Sequence, residues 1–210
     1  MRHSLRSILF IPALLGMLLL SGVSQAEPVH PQQVIQNVTD KLLTLLEAKK
    51  QAGELQGNQP GFLAELETIL DPAVDYEKFS KGVMGKYYRK STPEQRERFI
   101  IVFKHTLFVA YGSAFTAIDN ETITIQPYTK KLETKATIKM DIHTPGGQIF
   151  PVSYSMHLTK ESEWKLKNVV VNGLNLGLTF KNQFLGLMSK HRNLDKAIEN
   201  WSSDVADGSA

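Results

Sequence analysis

Residues 168–184, Asn168 to Phe184, read NVVVNGLNLGLTFKNQF. Three consecutive valines break at Asn172-Gly173. The chain then runs through Leu174, Leu176, Leu178 and Phe180 before it meets a lysine at position 181. A strand with one wet face alternates apolar and polar residues, and a surface turn does not carry four large apolar side chains. Both faces of this stretch therefore need an apolar cover, which the protein's own core, a partner or a ligand could supply.

Upstream of this stretch the chain repeats with period two. Ile123 and Ile125 alternate with threonines, and Ala136, Ile138, Met140 and Ile142 alternate with Lys135, Thr137, Lys139, Asp141 and His143. Phe150, Val152, Tyr154, Met156 and Leu158 continue the pattern after the Thr144-Pro145-Gly146-Gly147 turn, and Trp164 to Val171 supplies a fourth strand. This predicts a curved antiparallel four-stranded sheet over residues 120–173, polar on one face. Helix returns from about Leu178 to Lys190, and again from Leu194 to Trp201 after the cap at Asn193.

The first half reads as helices over residues 31–118. Pro31 opens one whose apolar positions include Val34, Ile35, Val38, Leu42, Leu45 and Leu46, and Pro60 opens a second that Asp71-Pro72 should stop. A short third runs from about Asp75 to Val83, ahead of Gly85. Thr92-Pro93-Glu94-Gln95 is a capping box with proline at the first helical position. The helix it starts is apolar nearly all round from Phe99 to Ile118 and so is buried on more than one side. The fold class is α+β, with helices over one face of the sheet.

At the N-terminus, Arg2 and Arg6 precede an apolar run from Ile8 to Leu20, and small residues end it at Ala26, the pattern of a secretory signal peptide. Cleavage after Ala26 would leave residues 27–210 as a single domain with a weakly ordered tail from Ser202. No later segment is expected to approach about 18 apolar residues, so a soluble exported chain is expected. There is no cysteine, which excludes disulfides, thiol nucleophiles and zinc–thiolate sites. The +3 formal charge includes Arg2 and Arg6, so the mature chain is nearly neutral and does not read as a nucleic-acid binder.

Chemistry-bearing patterns are sparse. The strand registers place Glu133, Asp141, His143 and His157 outward, so Ser153 and Ser155 beside His157 read as a solvated strand face, with no serine elbow framing them. Gly146-Gly147 lacks the lysine and hydroxyl of a phosphate loop. His105 has no second ligand at i+4 and reads as a core or cavity-edge side chain. The basic groups Lys86/Arg89/Lys90, Arg96/Arg98 and Lys130/Lys131 read as surface, with anionic lipid head groups or a partner as the alternative. No catalytic residue, metal site or cofactor is expected. An apolar wall remains, around either a solid core or a ligand.

Two stretches carry a family resemblance. Gly85-Lys86-Tyr87-Tyr88-Arg89-Lys90-Ser91-Thr92-Pro93-Glu94-Gln95-Arg96, followed by Phe99, Phe103 and Leu107, is one. Trp164-Lys165-Leu166 through Val169 to Leu176 and on to Lys181-Asn182-Gln183-Phe184 is the other. Together they resemble the MlaC-type periplasmic phospholipid-binding proteins, also called toluene-tolerance proteins. Asn168 and Asn172 stand where acidic residues are common in that pattern, and Thr179-Phe180-Lys181 where Asn-Tyr-Arg is common.

The resemblance implies a monomeric periplasmic carrier, with a sheet similar to the nuclear-transport-factor-2 type, that encloses phospholipid acyl chains. It implies shuttling between an outer-membrane lipoprotein–porin complex and an inner-membrane ABC transporter with a lipid-binding ring, which maintains outer-membrane lipid asymmetry. The expected wall comprises Val83, Met84, Phe99, Phe103, Leu107 and Tyr111 from the helices. The sheet and the segment after it add Ile125, Ile138, Met140, Val152, Tyr154, Met156, Val169, Val171, Leu174 and Leu176. The alternative reading is an exported enzyme of the same fold class acting on a small apolar substrate, with a carboxylate or histidine projecting into the wall.

Overall fold

A computed structural model describes residues 28–55, 59–116, 118 and 121–201. The expected leader, the expected cleavage point after Ala26 and the tail from Ser202 lie outside the described residues. Helix α1, Pro31–Gln51, starts with proline in its first turn and with His30 Nδ1 accepting the Gln32 N–H, and it buries Ile35, Thr39, Leu45 and Leu46. Helix α2, Pro60–Leu70, buries Phe62 and Leu66. Asp71-Pro72 does not stop the chain outright: it tightens into a 3₁₀ turn at Asp71–Ala73. Helix α3, Tyr76–Met84, is capped by Asp75, whose Oδ1 accepts the Lys78 N–H at 2.7 Å. Gly85 then takes φ 54°, a conformation glycine adopts without a Cβ penalty, and a 3₁₀ segment, Gly85–Lys90, leads to α4.

Helix α4, Pro93–Thr116, begins with the expected capping box. The Gln95 N–H donates to Thr92 Oγ1 at 3.2 Å and the Thr92 N–H to Gln95 Oε1 at 3.0 Å. By length and composition alone α4 could cross a membrane, contrary to the expectation that no segment past the leader approaches that length. Its Phe99, Phe103 and Phe108 are instead buried in protein contacts.

The sheet has five antiparallel strands in order β1-β2-β3-β4-β5: Thr122–Ile125, Lys135–His143, Ile149–Leu158, Trp164–Val171 and Leu174–Asn175. The fifth, beyond the four expected, follows from Asn172-Gly173. Both residues have positive φ, 48° and 82°, and they join Val171 to Leu174 as a two-residue hairpin loop. Helix α5, Leu176–His191, begins two residues before its expected start, capped by Asn175, and ends on Arg192 in the left-handed region. Helix α6, Leu194–Glu199, is capped by Asn193 as expected.

Three apolar clusters hold these elements together. A helical hub gathers Phe79, Val83, Met84, Phe99, Phe103, Phe180, Phe184 and Trp201. Phe99 and Phe184 meet the Trp201 ring at centroid distances of 5.2 and 6.1 Å, and Phe103 and Phe180 do so at 6.0 and 6.1 Å. A second cluster presses Ile35 of α1 onto Ala136, Ile138, Met156 and Trp164 of the sheet. A third joins α1, α2 and α4 through Leu45, Leu46, Phe62, Leu66 and Phe108.

Candidate lipid-binding wall

The pairing registers sort the strands into two faces. Ile125, Met140, Val152 and Val171 lie in successive register, and so do Ile138, Tyr154 and Val169, which builds one apolar face across four strands. A bulge between Ser155 and Met156 lets Leu166 join it opposite Met156. Val170 pairs with Ser153 and so belongs to the other face, behind the wall.

Sequence reasoning expected that other face to be solvated, with His157 on its surface. The structure corrects this: His157 is buried, because the N-terminal end of α3 covers that end of β3 and β4. The Asp75 N–H donates to the Leu166 carbonyl at 2.8 Å, which fixes the start of α3 against β4. His157 Nε2 lies 2.8 Å from Asp75 Oδ2, and Nδ1 lies 3.0 Å from Lys78 Nζ. An ammonium only donates, so Nδ1 accepts and Nε2–H donates to the carboxylate. Asp75 also caps α3, so the trio works as a fastening between helix and sheet on the face away from the apolar wall. Lys167, in the bulge, has its pKa lowered by burial first and then by Lys135 and Lys78.

Asn168 acts at the other end of the same face. Its Oδ1 accepts the Gly177 N–H at 2.9 Å and its Nδ2 donates to Asn175 Oδ1 at 3.0 Å, so it helps to cap α5. A carboxylate could take the first of these bonds but not give the second. Asp141 accepts from Gln126 Nε2 at 2.6 Å, Glu133 is exposed and His143 is partly buried. His105 is exposed at the edge of a groove between α2 and α4.

The expected wall residues separate into distinct places. Val83, Met84, Phe99 and Phe103 have no solvent exposure and sit in the helical hub, packed on other side chains. Leu107, Tyr111 and Leu176 pack at the rim of that hub, partly buried, with the Tyr111 ring edge-on to Phe180 at 6.0 Å. Ile125, Ile138, Met140, Val152, Tyr154 and Met156 share the apolar sheet face, as do the partly buried Val169 and Val171. Leu174, beyond the Asn-Gly turn, is 52% exposed. Val34, Ile35, Leu158 and Leu166 pack with the sheet face in the second cluster although they were not among the expected wall residues. The helical spacing of Val34 and Ile35 was legible, but nothing local said that α1 would lie on the strands.

Helix α4 packs on α2, α3 and α6, whereas α1, α3, α5 and the 71–73 turn are the elements that pack on the strands. The hub meets the sheet on the face behind the apolar wall, through Asp75 against His157 and Gly177 against Asn168, whereas α1 covers the apolar face. Two cavities open elsewhere. One of about 260 Å³ lies among Val34, Val38 and Lys41 of α1, Pro72 and Trp164. Another, of about 350 Å³, lies between Leu63 and Glu67 of α2 and His105 and Val109 of α4. Neither is lined by any of the expected wall residues, and both sit near or below the lower end of the roughly 300–1,000 Å³ of small-molecule sites. Among the described residues no cluster of three or more His, Asp or Glu side chains could hold a metal.

A model of the MlaC protein family matches residues 36–203. The chain belongs to the MlaC family. Among curated relatives, the toluene tolerance protein ttg2D of Pseudomonas putida is 38% identical over 178 residues, 84% of this chain and 81% of that protein. The intermembrane phospholipid transport system binding protein MlaC of Haemophilus influenzae is 26% identical over 182 residues, 84% of this chain and 82% of that protein. Among solved structures, a phospholipid-binding protein from Ralstonia solanacearum in complex with a phospholipid superposes with a TM-score of 0.76 at 21% identity, covering 85% of this chain and 98% of that one. This MlaC family member therefore shares that protein's α+β fold.

Proposed function

We propose that the protein is a periplasmic phospholipid carrier, exported by its leader and released after Ala26 as one domain, residues 27–210. The observation that carries this is the apolar sheet face, continuous over four strands and free of charged side chains in its register. Its membership of the MlaC family and its fold likeness to a protein crystallised with a phospholipid support the same reading.

The physical requirement is severe. Two chains of about 16 carbons lose on the order of 25 kcal/mol on entering water, at ~0.8 kcal/mol per CH₂, so unassisted crossing is negligible. A carrier must replace almost all of that contact with continuous apolar surface while keeping the cargo within a few kcal/mol of a bilayer. Valine, leucine, isoleucine and methionine on the strands meet that need. Loading would have to open room that the two open cavities do not offer.

The proposed partners are an outer-membrane lipoprotein–porin complex and an inner-membrane ABC transporter with a lipid-binding ring, the protein acting between them as a monomer that makes and breaks no bond. The His157–Asp75 pair does not favour an enzyme, because it faces away from the wall and both ring nitrogens are engaged. The test is transfer of a labelled phospholipid between donor and acceptor vesicles by delipidated protein. Transfer proportional to protein concentration is expected; a rate no faster than protein-free vesicles would sink the reading.

A further inference from the structure

The apolar sheet face holds one polar spot. Thr39, buried on α1, points its Oγ1 at the Met140 sulfur at 4.0 Å, and the Tyr154 hydroxyl approaches the same sulfur at 3.7 Å. Two hydroxyl donors from different elements thus converge on a thioether, which is a weak acceptor. Placing a hydroxyl away from water without a good acceptor is unfavourable, so this arrangement stands out in a wall that is otherwise apolar. Tyr154 is in register with Ile138 and Val169, and Met140 with Ile125 and Val152, so the spot lies in the middle of the sheet face. Burial raises the Tyr154 phenol pKa, which keeps it a donor at any physiological pH.

We propose that Thr39 and Tyr154 form a binding site for an acyl ester carbonyl of the lipid, with the Met140 sulfur holding the two donors in place when no carbonyl is present. The proposal rests on the carrier reading and names the part of the ligand that this spot selects. Two donors with no cation beside them suit an uncharged oxygen that only accepts. A phosphate or an ionised carboxylate would bring a full charge onto an apolar face that offers no counter-ion, whereas an ester carbonyl brings none. The site would fix the depth at which the glycerol end of the lipid stops, leaving the unbranched chains to the apolar wall.

The experiment compares a diacyl phosphatidylglycerol with its dialkyl ether analogue of equal chain length, measuring the Kd of each for delipidated full-length mature protein. The wild type is expected to bind the diester about fivefold to tenfold more tightly, the size of one good hydrogen bond. Tyr154→Phe and Thr39→Val should each lower the diester-to-ether ratio toward one, weakening diester binding more than ether binding. Two variants on different elements keep the test open if one of them folds poorly, which a thermal melt would reveal. A wild type that binds both lipids equally, or variants that keep the preference, overturns the proposal alone. Binding of neither lipid overturns the carrier reading with it. Palmitate bound more tightly than the diester, and lost in Tyr154→Phe, would also overturn it by reassigning the spot to a free acid.

Discussion

His157 shows how far a single residue departs from its place in the alternation. Its register puts it opposite the wall, where a surface histidine could be replaced at a cost of about half a kcal/mol or less. Buried against Asp75 and Lys78, it is expected to cost about 1–3 kcal/mol when changed to alanine, because the carboxylate and ammonium lose their partner where little water reaches them. Urea unfolding measures this, and a midpoint equal to wild type would remove the fastening role. Lipid binding should survive, since the trio lies behind the wall. Gly177 offers a second check. A Cβ there would stand 2.5 Å from Asn168 Oδ1, so Gly177→Ala must displace the side chain that caps α5. A loss of about 1–3 kcal/mol is expected. In the double variant Gly177→Ala, Asn168→Ala the effect of the added methyl should shrink, because its obstacle is gone; an undiminished effect would place the strain elsewhere.

At the scale of elements, local chemistry explains what the sequence made legible. Thr92 and Asn193 mark helix starts because their side chains accept one of the first free N–H groups, a contact made within a few residues. Strands β2, β3 and β4 are legible because alternation and burial agree along them. The fifth strand was missed although Asn172-Gly173 carries a strong hairpin signal, because Leu174 and Leu176 read as wall residues and the strand, Leu174–Asn175, is only two residues long. The burial of His157 was not legible, since the helix that covers it lies about 80 positions earlier in the chain and no local period reports it. The apolar face was legible on the strands, whereas on α4 a helix apolar all round does not say which side meets a core and which is left over. Phe103 and Leu107 separate the two. Phe103→Ala should lose about 3–5 kcal/mol, because the hub closes around a ring with no exposure. Leu107→Asp at the rim should keep a native circular dichroism spectrum and lose lipid retention, since a charge facing acyl chains has no partner. Normal lipid loading in Leu107→Asp would show that this stripe faces away from the ligand.

For the whole molecule, the layers divide the work. The aromatic hub around Trp201 locks α3, α4, α5 and α6 together, and the Asp75–His157 fastening ties the start of α3 to the sheet. Helix α1 spans the other side of the strands and carries Thr39 to the polar spot. Residues 27–210 are nearly neutral and add no strong long-range field, so the carrier account places the driving force in apolar contact. The most direct test is to purify the mature protein from a Gram-negative periplasm without detergent, extract it with organic solvent and quantify phospholipid against protein. The account predicts phospholipid in near-stoichiometric amount, released only when the protein is denatured or extracted. Protein that is folded, monodisperse and free of phospholipid would contradict it.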